Sequence, residues 1–281
     1  MNINEVGATS LVIAAFRSEE GKLDHPLFKD PYSDWFVNEE FLERARQLRQ
    51  LHQGIGDMVR FRTVMFNSIL SNSIRGDTKQ IVTIGSGLDM RFEIFKSEGV
   101  KFFEVDQPGV LEYKKSVLAR HGIDSPPSVA CNYLEVNLPD LLVEIGFNPS
   151  EPSLMIWEGN TMYLPKDLIF KFANQLCDRI QKFVLTFDYI KHGLLDGTYE
   201  DKEAIEYCRL VQKIMNAQFL SGFDDLSEFE ENTPLKVMKS GNVLDIGREF
   251  VDANLQEAFE YIESESMGLI SAYRYAQLRN D

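Results

Sequence analysis

Residues 80–91 read QIVTIGSGLDMR, an apolar run that stops abruptly at Gly85-Ser86-Gly87. A second apolar run, KFFEVD, ends on Asp106, which lies 19 residues after Gly87. Continuous apolar runs of this length are typical of strands buried in a parallel sheet, and ligands bind such sheets beyond the carboxyl ends of the strands. Glycine permits a tight turn and a close approach of a ligand to the backbone. The two strand ends therefore predict a ligand site, with an ordinary strand-to-helix turn as the alternative for the glycines alone.

The acid at the second strand end indicates the class of ligand. Asp106 occupies the place from which a carboxylate accepts hydrogen bonds from both hydroxyls of a ribose. A dinucleotide-binding loop would carry a third glycine where this chain has Met90, and Asp89 beside it is poorly suited to two phosphates. S-adenosylmethionine has no phosphate and carries a sulfonium and an ammonium group. The sequence therefore favours a methyl donor over a nicotinamide dinucleotide.

Strand-like and helix-like segments alternate along the middle of the chain. The apolar runs lie at 80–84, 101–105, 128–131, 153–157 and 182–187, and the helix-like segments between them at about 89–97, 108–121, 137–145 and 165–179. This alternation is typical of βαβ units. It predicts an α/β fold with a mostly parallel, twisted sheet that carries helices on both faces.

The flanking parts of the chain are expected to complete one domain, residues 1–281. Residues 37–70 carry a helical apolar stripe with a break at Gly54 and Gly56. We expect a helix near 200–218, another in REFVDANLQEAFEYIES and a last strand in ISAYRYAQLR. The expected parts are a helical N-terminal cap (1–75), a cofactor-binding core (76–187), a substrate-side insertion (188–235) and a C-terminal completion of the sheet (236–281).

Composition excludes several classes of function. The 281 residues carry a formal net charge of −15, which argues against nucleic acid or an anionic membrane as a partner. The four histidines lack the spacing of a zinc site, so no metal is expected. Three separated cysteines suggest neither a disulfide framework nor a redox pair. No apolar run is long enough to span a membrane, and the N-terminus lacks the pattern of a signal peptide, so a cytoplasmic protein is expected.

Several ordered segments resemble the motifs of the leucine carboxyl methyltransferase-like family, which includes bacterial O-methyltransferases of polyketide biosynthesis. QIVTIGSGLDMR resembles its GAGLDTR signature, KFFEVDQPGVLEYKK its FEVDxPxVxxxK segment, and LMIWEGNTMYLP its EGxxxYL segment. Upstream, HPLFKDPYSDWF is similar to the family's DPYA motif and RTVMFN at 62–67 to its RTxxFD motif. The resemblance covers roughly residues 8–190.

The resemblance implies a class I methyltransferase (Rossmann-like) fold and S-adenosyl-L-methionine as the cofactor, with S-adenosyl-L-homocysteine as its product. By motif position, Arg62, or alternatively Arg60, would pair with the carboxylate of the methionine end. Asp106 would hold the ribose and Glu158 would face the amino group. Asn132 stands near the adenine, where the family usually has Asp. The remaining cofactor-binding residues implied by the resemblance are Gly85, Ser86, Gly87, Gln107, Tyr133 and Gly159.

The residues that would act on the methyl acceptor are not identified by the sequence. Tyr189 and Tyr163 are candidates, and each is equally expected to pack or line a pocket. A carboxylate acceptor is already ionised at neutral pH, whereas a hydroxyl benefits from a general base. We find no convincing base, which favours a carboxyl or an acidic hydroxyl.

The leading interpretation is an O-methyltransferase acting on a carboxyl or hydroxyl group of a small molecule, of the kind found in secondary metabolism. Two alternatives remain. One is a methyltransferase that acts on the C-terminal carboxyl group of a protein, and the other is a non-catalytic protein that binds S-adenosylmethionine as a sensor or scaffold. A nicotinamide-dependent oxidoreductase is disfavoured by the missing third glycine.

Overall fold

The structure, a computed structural model, describes residues 8–23, 26–51, 53–214, 217–242, 245 and 271–280. These residues include seven strands of a single sheet: β1 Gln80–Ile84, β2 Lys101–Asp106, β3 Ser128–Ala130, β4 Ser153–Trp157, β5 Phe183–Ile190, β6 Lys236–Asn242 and β7 Tyr273–Asn280. The helices are α1 Ala8–Glu20, α2 Glu39–Leu51, α3 Gln53–Arg75, α4 Arg91–Ile94, α5 Pro108–Arg120, α6 Leu138–Glu144, α7 Lys166–Arg179, α8 Gly193–Asp196, α9 Lys202–Ile214 and α10 Ser227–Asn232.

The sheet is mostly parallel, as the alternation of segments predicts. Its order is β3-β2-β1-β4-β5-β7-β6. Strands β1 to β5 pair in parallel, and β7 runs antiparallel between β5 and β6. The order reverses at β1, which has β2 on one side and β4 on the other. Such a switch point opens a crevice beyond the carboxyl ends of the strands, which is where the glycine turn lies.

The central strands are buried on both faces. Every residue of β1 and of β4 is buried. Because side chains alternate along a strand, Ile81 packs with α3 residues such as Phe61 and Met65 on one face. Val82 belongs to the core on the other face, with Leu142 of α6 and other residues of α6 and α7. The continuous apolar runs therefore reflect helices on both faces.

The N-terminal helices form a second packed layer beside the sheet. Leu11 and Phe16 of α1 pack with Ala45 and Leu48 of α2, and with Val59 of α3. The helical periodicity of 37–70 is thus confirmed, with α2 ending at residue 51 and α3 beginning at residue 53. Among the described residues, no helix combines the length and apolarity needed to cross a membrane.

Two parts of the chain depart from the sequence expectation. Strand β6 was not expected, and helix α1, which lies inside the expected helical cap, has no separate sequence prediction. Strand β6 has mostly exposed or half-buried residues, because it lies at the edge of the sheet beside β7. The last strand is confirmed as β7, whereas the helix expected in REFVDANLQEAFEYIES lies outside the described residues.

Candidate functional site

A cavity of about 460 Å³ lies at the switch point of the sheet. The strand ends supply a polar wall that includes Asp106, Glu158 and Gly159, and α1 and α3 add Arg17 and Arg62. An apolar wall comes from the residues that follow β4, from the last residue of β5 and from the region between β5 and β6; it includes Met162, Ile190, Leu194, Val211 and Phe219. Apolar residues of α1, α2 and α3 also line the cavity, among them Val12, Leu48 and Met58. The cavity therefore combines charged groups with an apolar lining.

The glycine turn shapes the polar end. Gly85 and Gly87 have φ angles of +65° and +51°, a region that side chains disfavour. A Cβ atom at Gly85 would lie 2.7 Å from the side-chain amide of Asn160. The backbone N–H groups of Gly85 and Ser86 both donate to the carbonyl oxygen of Val105, at 2.8 and 3.1 Å. The turn is thus fixed against β2, and it leaves no room for a larger residue at Gly85.

Asp106 lies beside this turn and keeps hydrogen-bonding capacity toward the cavity. Its Oδ2 accepts the N–H of Gly87 at 2.6 Å and its Oδ1 accepts the N–H of Gln107 at 2.7 Å. Burial raises the pKa of Asp106, while these two backbone hydrogen bonds oppose the rise. Each carboxylate oxygen can accept a further hydrogen bond. Ser86 Oγ, buried in the same wall, has no hydrogen-bond partner among the described residues, so this end fits a ligand rich in hydroxyl groups, such as a nucleoside.

Glu158 is the centre of a buried charge cluster at the carboxyl end of β4. Its carboxylate lies 3.1 Å from Arg17 Nη2, 2.9 Å from Arg62 Nε and 2.6 Å from Arg91 Nη1. Arg91 also pairs with Asp89. Burial would raise the pKa of Glu158, but Arg91, Arg17 and Arg62 outweigh burial and hold this pKa below its usual value.

The two candidate arginines of the RTVMFN region have different surroundings. Arg62 lines the cavity. Burial disfavours its charge, but Tyr273, Glu158 and Asp188 together raise the pKa of Arg62. Arg60 instead pairs with the fully buried Glu20, at 2.8 Å, within the helical cap.

Tyr273, Asp188 and Arg62 form a second polar group. The hydroxyl of Tyr273 donates a hydrogen bond to Asp188 Oδ2. Arg62 Nη1 donates to the same hydroxyl oxygen at 3.3 Å, and Asp188 Oδ1 accepts the N–H of Gly159 at 2.6 Å. Burial, followed by the charge of Asp188, raises the pKa of Tyr273 well above its usual value. Tyr273 lines the cavity, and sequence reasoning did not identify it.

Five of the expected site residues do not line this cavity with the others: Arg60, Gln107, Asn132, Tyr133 and Tyr189. Tyr133 accepts a hydrogen bond from Trp157 Nε1 and donates one to Asn160, both at 3.1 Å, and burial raises its pKa to about 12. Tyr189 packs among the aromatic rings of the core. Asn132 holds a turn through Glu135 at 2.7 Å.

Gln107 donates its backbone N–H to Asp106 Oδ1. The other expected residues do line the cavity: Arg62, Gly85, Ser86, Gly87, Asp106, Glu158, Gly159 and Tyr163. Among the described residues, no group of three or more metal-ligating acids, histidines or cysteines is assembled.

Comparison with protein families gives one match that covers more than half of the chain. A family model described as leucine carboxyl methyltransferase matches residues 10–177. A Mycobacterium tuberculosis protein, named as a candidate S-adenosyl-L-methionine-dependent methyltransferase, is 34% identical over 194 residues. That alignment covers 61% of this chain and 62% of the relative, so the chain spans less than two thirds of that relative's length.

Two solved structures share the fold at low sequence identity. A DUF574 family protein from Streptomyces avermitilis has a TM-score of 0.66 at 12% identity, with 100% of both chains covered. A candidate methyltransferase from Thermobifida fusca has a TM-score of 0.62 at 15% identity, with 97% of this chain and 94% of that chain covered. These likenesses extend beyond the residues that the family model matches.

Proposed function

This chain belongs to the leucine carboxyl methyltransferase family, and from that premise we propose that it transfers the methyl group of S-adenosylmethionine to a carboxyl or hydroxyl oxygen of a small molecule. The class I methyltransferase fold predicted from the sequence is confirmed by the sheet and by its structural neighbours. The predicted cofactor is confirmed by the relatives, which are named for dependence on S-adenosyl-L-methionine.

The proposal rests on one observation: a single cavity joins a wall suited to a nucleoside to an apolar wall. Its volume of about 460 Å³ lies within the range of roughly 300–1,000 Å³ common to small-molecule sites. S-adenosylmethionine supplies a methyl group activated by the positive charge on sulfur. The chain has to bind this donor, orient the acceptor oxygen and exclude water.

In this proposal Asp106 accepts hydrogen bonds from the ribose, beside the glycine turn. Arg62 and Glu158 present opposite charges to the carboxylate and ammonium groups of the methionine end. The apolar wall, most of which comes from residues 188–235, holds the acceptor. Placing the acceptor oxygen about 3 Å from the methyl carbon and in line with the breaking bond replaces a bimolecular encounter by a positioned one.

Calorimetric titration with S-adenosylmethionine, S-adenosylhomocysteine and NAD tests the donor site. Binding of the two sulfur compounds and no binding of NAD is expected. Binding of NAD alone would refute the proposal. Binding of the donor without formation of S-adenosylhomocysteine across an acceptor panel of phenols, alcohols and carboxylates would favour the non-catalytic alternative.

A further inference from the structure

We propose that Tyr273 and Asp188 form a proton relay that accepts the proton of an acceptor hydroxyl, so that this site methylates an apolar phenol or alcohol. The inference rests on the proposed function and narrows its substrate class from carboxyl or hydroxyl to hydroxyl. No convincing base is identified from the sequence. The structure supplies a candidate because it places the first residue of β7 opposite the last residue of β5, Ile190.

The hydrogen bonds of Tyr273 leave one position on its oxygen for the acceptor. A hydroxyl has one proton to donate and two lone pairs with which to accept. Tyr273 donates its proton to Asp188, and Arg62 Nη1 occupies one lone pair. The second lone pair is available for an acceptor O–H group, since Tyr273 lies in the cavity wall. A proton on the acceptor thus has a continuous hydrogen-bonded path to a carboxylate.

Asp188 has the surroundings of a proton acceptor. It is 0% exposed, and burial raises its pKa while the charge of Arg62 opposes the rise. Two further titratable groups among the described residues face this pair: Glu158 at the end of β4, and Tyr163, whose own pKa is raised by burial. A buried carboxylate with a raised pKa is a better base than one in water.

The charge of the cavity wall favours a neutral acceptor. Among the described lining residues, the charged groups are two arginines, Arg17 and Arg62, and three carboxylates, Asp89, Asp106 and Glu158. The excess negative charge offsets the net positive charge of S-adenosylmethionine. A carboxylate acceptor would add an uncompensated negative charge in a buried place, which costs several kcal/mol unless it is paired.

The apolar wall of the cavity is suited to an apolar acceptor. Leu194, Cys208, Val211 and Phe219 line it, with Tyr207 from α9. None of the described lining residues between β5 and β7 is charged. Apolar and aromatic rings bury well against such a wall, whereas a polyhydroxylated acceptor would leave polar groups unpaired there.

The step balances without a further reactant. As the acceptor oxygen forms its bond to the methyl carbon, its proton moves to Tyr273 Oη and the proton of Tyr273 moves to Asp188 Oδ2. The carbon–sulfur bond breaks, and its electron pair returns to sulfur, which becomes the neutral thioether of S-adenosylhomocysteine. The proton on Asp188 is released to solvent when the products leave.

Binding to the protein saturated with S-adenosylhomocysteine gives the first test. The probes are para-cresol and para-toluate, which share a ring and differ in carrying a hydroxyl or a carboxylate. We expect para-cresol to bind about tenfold more tightly, and Tyr273→Phe to weaken para-cresol binding while leaving the affinity for S-adenosylhomocysteine unchanged. Failure of para-cresol to bind, or tighter binding of para-toluate, overturns the proposal. Failure of S-adenosylhomocysteine itself to bind refutes the proposed function instead.

Methyl transfer to para-cresol and to the more acidic para-nitrophenol gives the second test. Near pH 7, Tyr273→Phe is expected to lower transfer to para-cresol by about 100-fold. The loss should be much smaller with para-nitrophenol, because a large fraction of this more acidic phenol is already ionised at that pH. Transfer to para-cresol by the variant should then rise about tenfold per pH unit toward the pKa of the phenol, near 10.

Methyl transfer to para-cresol by Asp188→Asn should rise with pH in the same way as transfer by Tyr273→Phe. Tyr199→Phe, a matched change outside the cavity lining, should behave as wild type. No methylation of para-cresol by the wild type, or an equal loss with both phenols, overturns the relay.

Discussion

Replacing Asp106 by alanine is expected to weaken the binding of S-adenosylmethionine by about 10- to 150-fold. Each carboxylate oxygen already accepts one backbone N–H, at 2.6 and 2.7 Å, and keeps a lone pair for the ribose. A hydrogen bond to a charged acceptor contributes about 1.5–3 kcal/mol. We count one such contribution, because water that fills the space left by the side chain satisfies the ribose hydroxyls in part. Each 1.4 kcal/mol changes Kd about tenfold, which gives the stated range.

The assay is calorimetric titration with S-adenosylmethionine, S-adenosylhomocysteine and methylthioadenosine. Methylthioadenosine keeps the adenine and the ribose but lacks the amino-acid end, so Asp106→Ala should weaken all three ligands by a similar factor. The matched control is Asp140→Ala, which removes the same charge from an exposed carboxylate paired with Arg179. It should leave all three affinities unchanged.

Folding of the variant has to be established first. Asp106→Ala leaves the N–H groups of Gly87 and Gln107 without their acceptor, which costs about 1–3 kcal/mol of unfolding free energy for each group that stays buried. Urea unfolding at the titration temperature measures this loss. If the folded variant binds all three ligands as the wild type does, Asp106 does not hold the ribose. If S-adenosylmethionine and S-adenosylhomocysteine lose affinity but methylthioadenosine does not, the Asp106 carboxylate contacts the methionine end instead.

Further changes separate binding roles from structural ones. Arg62→Ala should weaken the binding of S-adenosylmethionine but not that of methylthioadenosine in the same titrations. Arg60→Ala removes the partner of a buried carboxylate and should cost about 3–5 kcal/mol of unfolding free energy. The folded Arg60→Ala protein should bind S-adenosylmethionine as the wild type does. The pKa of Glu158 is lower in the folded protein than in the unfolded chain, where it is about 4.3. Its contribution to stability is therefore present above pH 4.3 and is lost as the pH falls through the folded-state pKa. Glu158→Gln should remove this acid-side loss from a plot of unfolding free energy, measured with urea, against pH. Tyr133→Phe should cost about 1–3 kcal/mol in urea unfolding, because Trp157 Nε1–H loses its acceptor, and an unchanged midpoint would show that another group replaces it.

The parallel core could be predicted because its pattern is local. Ile81 and Val82 are apolar since helices cover both faces of β1, and a continuous apolar run reports that directly. The glycine turn and Asp106 could be predicted for the same reason, because a strand end followed by glycine marks a loop at the ligand-binding edge. That the glycine turn and Asp106 lie side by side follows from the pairing of β1 with β2 in the sheet.

Tyr273 could not be predicted, because its partners come from distant parts of the chain. It lies 85 residues from Asp188 and 211 residues from Arg62. The last strand itself was expected, but a pattern of apolar residues does not state which strand lies beside it or in which register. The signal available was an acid near the end of β5, Asp188, next to a tyrosine. The sequence pattern points instead to the adjacent Tyr189, which packs into the core.

Glu158 connects the N-terminal helical cap to the proposed donor site. Its three arginine partners come from three different elements, with Arg17 on α1, Arg62 on α3 and Arg91 on α4. Helix α1 also covers the glycine turn, since a Cβ atom at Gly87 would lie 3.2 Å from Ser10 Oγ. Moving α1 away would therefore open the turn and strip one cation from a buried carboxylate, and losing a partner of a buried charge costs several kcal/mol. The position of the cap over the cavity is consequently set by the same charge that faces the methionine end of the proposed donor.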